Sequence, residues 1–325
     1  MNTLFVRVAR FGAVLALAVV MLGAWVRLHD AGLGCPDWPG CYGRLVVPDQ
    51  STSVQDLGPQ GAVRPLDEAK AWREMIHRYL AGALVLVTVV LAALAWRNRK
   101  DPAQPWRRPL ALVALIVFQA LLGMWTVTLL LKPLIVVAHL FGGLATLALL
   151  ASLGKWRTAR VTAPTPALRA LGLVATAALV VQIFLGGWTS SNYAALACPD
   201  FPTCQTQWWP ALADYKDGFV LWRGLGTSYE GGVLDHPARV AIHFMHRLGA
   251  IVAFVAVVLL GWCVARDAAT RADGLAVLGL VLLQVSLGVS IVVFGVPLAV
   301  AVAHNGGAAL LLLAVINANQ RIRQR

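Results

Sequence analysis

The sequence predicts an all-α integral membrane protein of eight transmembrane helices, built as two tandem four-helix bundles related by a pseudo-twofold along the membrane normal. Three observations carry this expectation. The 325 residues are 59% hydrophobic and only 13% charged, with a mean hydropathy of +0.71, which is too apolar for an ordinary soluble domain. Eight segments reach the roughly 20 apolar residues that a spanning helix needs. The second half of the chain repeats the first.

The spanning segments run over residues 8–27, 76–96, 108–130, 133–153, 169–189, 240–263, 274–295 and 298–318. Their even number puts both termini on one side. The first segment follows Arg7 and Arg10 as a signal peptide would. It continues into Trp25 and Arg27 without a small-x-small cleavage pattern and belongs to the repeat, so it is expected to be retained.

Lys and Arg counts set the orientation. Of 27 basic residues, 16 fall at the N-terminus (Arg7, Arg10), in the second-to-third loop (Arg97, Arg99, Lys100, Arg107, Arg108), in the fourth-to-fifth loop (Lys155, Arg157, Arg160, Arg169), in the sixth-to-seventh loop (Arg266, Arg271) and in the tail (Arg321, Arg323, Arg325). Only Asp101, Asp267 and Asp273 oppose them on that face. Both termini are therefore expected in the cytoplasm of a bacterium, with the long loops 28–73 and 190–239 outside its plasma membrane. The net charge of +12 and the pI of about 10.2 then report topology, and nucleic acid is not expected as a partner.

Each outer loop carries a close cysteine pair, Cys35 with Cys41 and Cys198 with Cys204, in a Cys-Pro-Asp-aromatic-Pro-x-Cys stretch. In an oxidising compartment such pairs become disulfides. Binding of a metal by two thiolates is the competing reading, but no third or fourth ligand stands nearby at zinc-type spacing. Cys263 lies alone in an apolar run, as a small buried hydrophobe would.

The two rings expose the repeat. Gly23, Trp25, Cys35, Pro36, Asp37, Pro39 and Cys41 recur 163 residues later as Gly186, Trp188, Cys198, Pro199, Asp200, Pro202 and Cys204. His77-Arg78 recurs as His246-Arg247 at a shift of 169, and Gln119, Gly123, Ala138 and His139 recur as Gln284, Gly288, Ala303 and His304 at 165. The implied domains are residues 1–160 and 161–325.

Each half thus supplies one histidine near the start of its second helix and one near the start of its fourth. At about 1.5 Å rise per residue the four imidazoles share a layer near the outer face. Ionisable groups at membrane depth mark functional sites by default, and two facing histidines in a bundle interior suit a bis-histidine haem. The expected pairs are His77 with His139 and His246 with His304, each binding one haem iron. For a single histidine the competing reading is a hydrogen-bonded core residue; four at repeat-related positions weigh against it. Gly142-Gly143 and Gly306-Gly307 follow the fourth-helix histidines, where small residues would admit a flat macrocycle or equally serve helix packing. Arg78 and Arg247 would pair with haem propionates or snorkel to the interface. Glu74, one turn before His77, would share its helical face, whereas His243 stands at that place in the second half. Acid/base chemistry is therefore expected in the first half only, and His246 is preferred over His243 as ligand because it matches His77-Arg78. His29 and His236 lie in or beside loops.

These residues resemble the heme A synthase family across essentially the whole chain: Gly-Leu-Gly-Cys-Pro-Asp-Trp-Pro-x-Cys at 32–41, Glu-x-x-His-Arg at 74–78, the second Cys-Pro-Asp ring and four repeat-spaced histidines. The resemblance implies that the first half holds substrate heme O through His77 and His139, and that the second holds a haem b cofactor through His246 and His304. It implies that Glu74 is the functional glutamate, and that the reaction is oxidation of the C8 methyl to a formyl group by two hydroxylations, with water as the oxygen source. Cys35 and Cys41 match the family's loop disulfide, implied to act in haem handling. His29 and Asp30 depart from the family pattern at a turn more often small or hydroxylated. Partners implied are heme O, membrane lipid, an electron acceptor, heme O synthase, cytochrome oxidase assembly factors and further copies of the chain. Two alternatives stand beside this reading: a di-haem b-type cytochrome, which would normally place haems near both membrane faces, and a haem transporter or chaperone.

Overall fold

The computed structural model describes residues 3–49, 65–154, 161–162 and 164–323. Lys155, Arg157, Arg160 and Arg325, counted above for orientation, and the expected boundary at 160/161 lie outside the described residues. Among the described residues the regular structure is helical: α1 (Thr3–Leu28), α2 (Glu68–Arg97), α3 (Arg107–Thr128), α4 (Pro133–Leu153), α5 (Pro166–Ser191), the short α6 (Tyr215–Gly218), α7 (His236–Arg266), α8 (Arg271–Val293) and α9 (Leu298–Arg323). All but α6 are long and apolar enough to span a bilayer, and large side chains such as Leu86 and Ile251 stand exposed along them. The chain is a multi-pass membrane protein.

Two of the histidine-bearing helices, α2 and α7, begin earlier than their apolar runs. Asp67 caps α2 by accepting the Lys70 N–H, and Glu68 adds a carboxylate to the first turn, where it meets the positive end of the helix dipole. Pro237 at the start of α7 has the φ that a first turn needs. His77 therefore sits in the third turn of α2, not at its mouth. The signal missed was local capping in a polar stretch, which apolar periodicity does not register.

The chain forms two compact units. The first is Met1–Lys155 together with Trp222–Val233, and the second is Trp156–Leu221 with Leu234–Arg325. In the first, α1 and α3 each pack on both α2 and α4, and the diagonal pairs do not touch. In the second, α5 and α8 each pack on both α7 and α9; α5 and α8 do not meet, and α7 and α9 barely do. The diagonal gap matters because the histidines project from diagonal helices.

The strap Trp222–Val233 fastens to the first unit at several points. The Tyr229 N–H donates to the Leu130 carbonyl at 3.0 Å, and the Tyr229 ring is buried with Leu33, Val127 and Leu131. Lys132, only 1% exposed, donates through Nζ to the Gly224 carbonyl at 3.0 Å and lies 3.7 Å from the centre of the Trp222 ring. A lysine buried without such partners would carry a heavy desolvation cost.

Candidate functional site

Each of the four repeat-related histidines packs against a glycine of the preceding spanning helix. A Cβ on Gly23 (α1) would come within 3.1 Å of His77 Cε1, and one on Gly123 (α3) within 3.2 Å of His139 Cε1. Gly186 (α5) and Gly288 (α8) stand in the same relation, 3.1 Å each, to His246 and His304. Four glycines thus leave room for four imidazoles to pack closely against the neighbouring helices. All four glycines belong to the repeat, so the signal was present in the sequence; the contact was not.

All four histidines keep solvent-accessible surface although protein surrounds them. His77 and His139 are close enough for their charges to interact, as are His246 and His304. The structure therefore brings together the pairs expected from the sequence.

Three of the four histidines are held by a glutamine. Gln119 Nε2 donates to the His139 carbonyl at 2.6 Å, and Gln284 Nε2 lies 3.3 Å from His304 Nε2. Gln182 Nε2 is 3.0 Å from His246 Nδ1 and donates to the His246 carbonyl at 3.1 Å. Each glutamine fits only because a glycine stands three residues after the histidine: a Cβ on Gly142, Gly307 or Gly249 would collide with Oε1 of Gln119, Gln284 or Gln182. Gly142 and Gly307 thus make room for a side-chain amide, a packing role that the sequence left open beside admission of a macrocycle. His77 is the exception. Leu80 stands three residues after it, and Val19 occupies the place matching Gln182; Nδ1 is buried without a hydrogen-bond partner in His77, His139 and His304 alike.

Glu74 and Arg78 join α2 to the first cysteine ring. Cys35 and Cys41 are disulfide-bonded. A Cβ on Gly34 would lie 2.6 Å from the Lys70 carbonyl carbon, so glycine permits the close approach that delivers the Cys35 N–H to Glu74 Oε2 at 2.9 Å. The other oxygen, Oε1, pairs with Arg78 at 2.5 Å. Arg78 also donates to the carbonyls of Asp37, Pro39 and Gly40. Both of its Nη atoms thus serve Glu74 and the ring.

The second unit repeats the arrangement with one exchange. Cys198 and Cys204 are disulfide-bonded, the Cys198 N–H points at His243 Nδ1 from 3.3 Å, and Arg247 donates to Thr203 and Cys198 carbonyls at 2.6 and 2.8 Å. His243 is thus the counterpart of Glu74, and His246 that of His77. Each ring is tied internally by its aspartate. Asp37 accepts the Tyr42 and Gly43 amides, and Asp200 accepts those of Gln205 and Thr206 and the Thr203 hydroxyl. Burial pushes the Asp200 carboxyl up, and these bonds more than offset it, leaving it below the ordinary carboxylate value. His29 turns back onto the Trp25 carbonyl, and His236 meets Gln205.

Paired histidines in each unit, each backed by a glycine, have the donor chemistry to ligate the iron of a flat macrocycle on both faces. The family model COX15-CtaA, described as cytochrome oxidase assembly protein, matches residues 7–316. The chain is similar to a heme A synthase of Shewanella oneidensis, 46% identical over 95% of this chain and 94% of the relative. It is similar to heme A synthases of Rhizorhabdus wittichii, 30% identical over 94% and 90%, and of Halalkalibacterium halodurans, 28% identical over 88% and 86%.

Proposed function

The chain belongs to the COX15-CtaA family of cytochrome oxidase assembly proteins, and we infer from this that it acts as a heme A synthase, an oxidoreductase that converts heme O to heme A. The observation that carries the reading to the site is the asymmetry between the two units. His246 is fixed by Gln182 at its Nδ1, which suits a group that stays. Nδ1 of His77 has no such partner, and neither has that of His139 or His304; a pair held at one Nδ1 suits a group that stays, and a pair held at neither suits a molecule that enters and leaves. The first unit, through His77 and His139, takes heme O as substrate; the second, through His246 and His304, holds haem b.

When bound, haem b would supply electron-transfer chemistry. The substrate change balances as one methyl plus one water giving one formyl, four protons and four electrons, through an alcohol and a gem-diol that loses water. The electrons leave to an acceptor. Glu74 is the ionisable group of the first unit assigned to proton handling. Its carboxylate has lone pairs beyond those engaged by Cys35 and Arg78. Arg78 keeps Glu74 and the ring in register. The glycines backing His77 and His139 let the imidazoles approach the neighbouring helices, and the apolar helices around them limit water. The basic residues at the ends away from the long loops orient both termini to the cytoplasm of a bacterial inner membrane. Heme O synthase, cytochrome oxidase assembly factors and further copies of the chain are the protein partners in this scheme.

The experiment is chromatography with mass detection of haem extracted from protein made in cells that supply heme O. Haem b together with heme O, its hydroxylated derivatives or heme A is the expected result. Two haem b per chain, with no oxidised product under turnover, would favour the di-haem cytochrome reading instead.

A further inference from the structure

The two cysteine rings share a feature that the reaction does not use. Trp38, Leu45 and Val46 of the first ring segment are exposed by 38%, 76% and 57%. The residues 163 positions later, Phe201, Trp208 and Trp209, are exposed by 51%, 76% and 63%. Six large apolar side chains therefore stand uncovered at matching places on two rings whose interiors are otherwise well bonded. Exposed apolar clusters of this kind mark interaction surfaces.

Their level along the helices identifies what covers them. α2 has 30 residues and α7 has 31, about 45 Å each at 1.5 Å per residue, against a hydrocarbon core of about 30 Å. Counting about 20 residues back from Arg97 and from Arg266 reaches Arg78 and Arg247, so these two arginines mark the edge of the hydrocarbon at the loop-bearing end. The ring tips lie at that edge. The Tyr79 hydroxyl donates to the Leu45 carbonyl at 2.5 Å, Arg247 sits over the Phe201 ring at 5.8 Å, and Trp209 packs edge-on against Phe244 at 5.1 Å. On α2 the tip continues into Ile76, Tyr79 and Leu80, which are also exposed, so the patch joins the lipid-facing surface. Tryptophan and tyrosine prefer this boundary, where an apolar ring and a polar edge are both satisfied.

We propose that both disulfide rings dip their tips into the lipid headgroup and acyl boundary of the leaflet at the loop-bearing end, so that Trp38, Leu45 and Val46, and Phe201, Trp208 and Trp209, are membrane anchors. The rings are then held on two sides, by Glu74–Arg78 or His243–Arg247 from the helix and by lipid from below. The inference does not depend on the reaction; it follows from the spanning helices and the ring geometry alone.

The test is site-directed spin labelling of the full chain in lipid nanodiscs, in a Cys263→Ala background with both disulfides intact. Labels are placed at Leu45→Cys and Trp208→Cys, with Lys216→Cys as the water-exposed reference and Leu86→Cys as the mid-membrane reference. The readout is the ratio of collision rates with dioxygen and with a water-soluble nickel chelate. The expected ratio at positions 45 and 208 is severalfold above that at 216 and below that at 86. A ratio at either position equal to that at 216 would overturn the proposal. Shielding from both reagents would overturn it too, and would assign the tips to a protein contact.

Discussion

Glu74 and Arg78 act as one clasp: the carboxylate takes the Cys35 amide on one oxygen and the guanidinium on the other, while the guanidinium grips three carbonyls of the ring. Both side chains are largely buried, at 6% and 13%. Removing one partner of a buried pair costs about 3 kcal/mol or more. Glu74→Ala should therefore lower the melting temperature of the purified protein by several degrees. Glu74→Gln keeps an acceptor for Cys35 but not the charge that pairs Arg78, and should melt between the parent and Glu74→Ala while losing methyl oxidation. Full oxidation by the glutamine variant would leave Glu74 a ring clasp only.

The second clasp is weaker for a chemical reason. A neutral imidazole has one acceptor nitrogen, yet both Cys198 and Arg247 point donors at His243. His243→Glu can accept both. It should raise stability by about 1 kcal/mol, measured as the denaturation midpoint, without giving the second unit oxidative activity. A drop in stability would show that this site excludes the charge.

Gln182→Leu removes the partner of His246 Nδ1. The loss of one hydrogen bond to a ligand, about 1.4 kcal/mol, corresponds to a tenfold weaker hold. Haem b should then transfer to apomyoglobin about ten times faster from this variant, and its optical spectrum and midpoint potential should shift. Unchanged transfer would remove the basis for assigning the second unit as the resident site.

The Asp200 turn makes one pH dependence explicit. Its carboxyl is depressed in the folded protein, so its stabilising effect is complete above the unfolded value and is lost as pH falls through the acid range below about 4. Thermal melts between pH 3 and 7 should show this loss in the parent protein and a flatter curve for Asp200→Asn. Parallel curves would locate the acid sensitivity elsewhere.

The sequence made legible whatever the repeat doubled. Eight apolar runs, two cysteine rings and His77, His139, His246 and His304 are each recorded twice, and coincidence is a poor account of paired identities. The matching of His243 to Glu74 was legible for the same reason. What stayed hidden were contacts between residues distant in sequence. That Gly23 lies behind His77, or that Gln182 reaches His246, depends on how neighbouring helices are rotated, which no one-dimensional period encodes. Gln182 also lacks a counterpart in the first half, so the repeat could not flag it. The polar opening of α2 was missed because caps act through single side chains, beneath the resolution of a hydropathy reading.

Lys132 carries a consequence for how such a chain can evolve. Its ammonium is buried in the first unit, and the carbonyl and indole that satisfy it come from Gly224 and Trp222, residues written in the second copy of the duplicated gene. The two copies are therefore no longer independent modules. A coding sequence cut at the old junction would yield a first product in which Lys132 lacks its carbonyl and indole partners and the α3–α4 turn lacks its cover. Recombination that exchanged only one copy with a distant relative would unsettle the other. Sequence drift in the strap is constrained by a partner some ninety residues away, so this duplication has become irreversible.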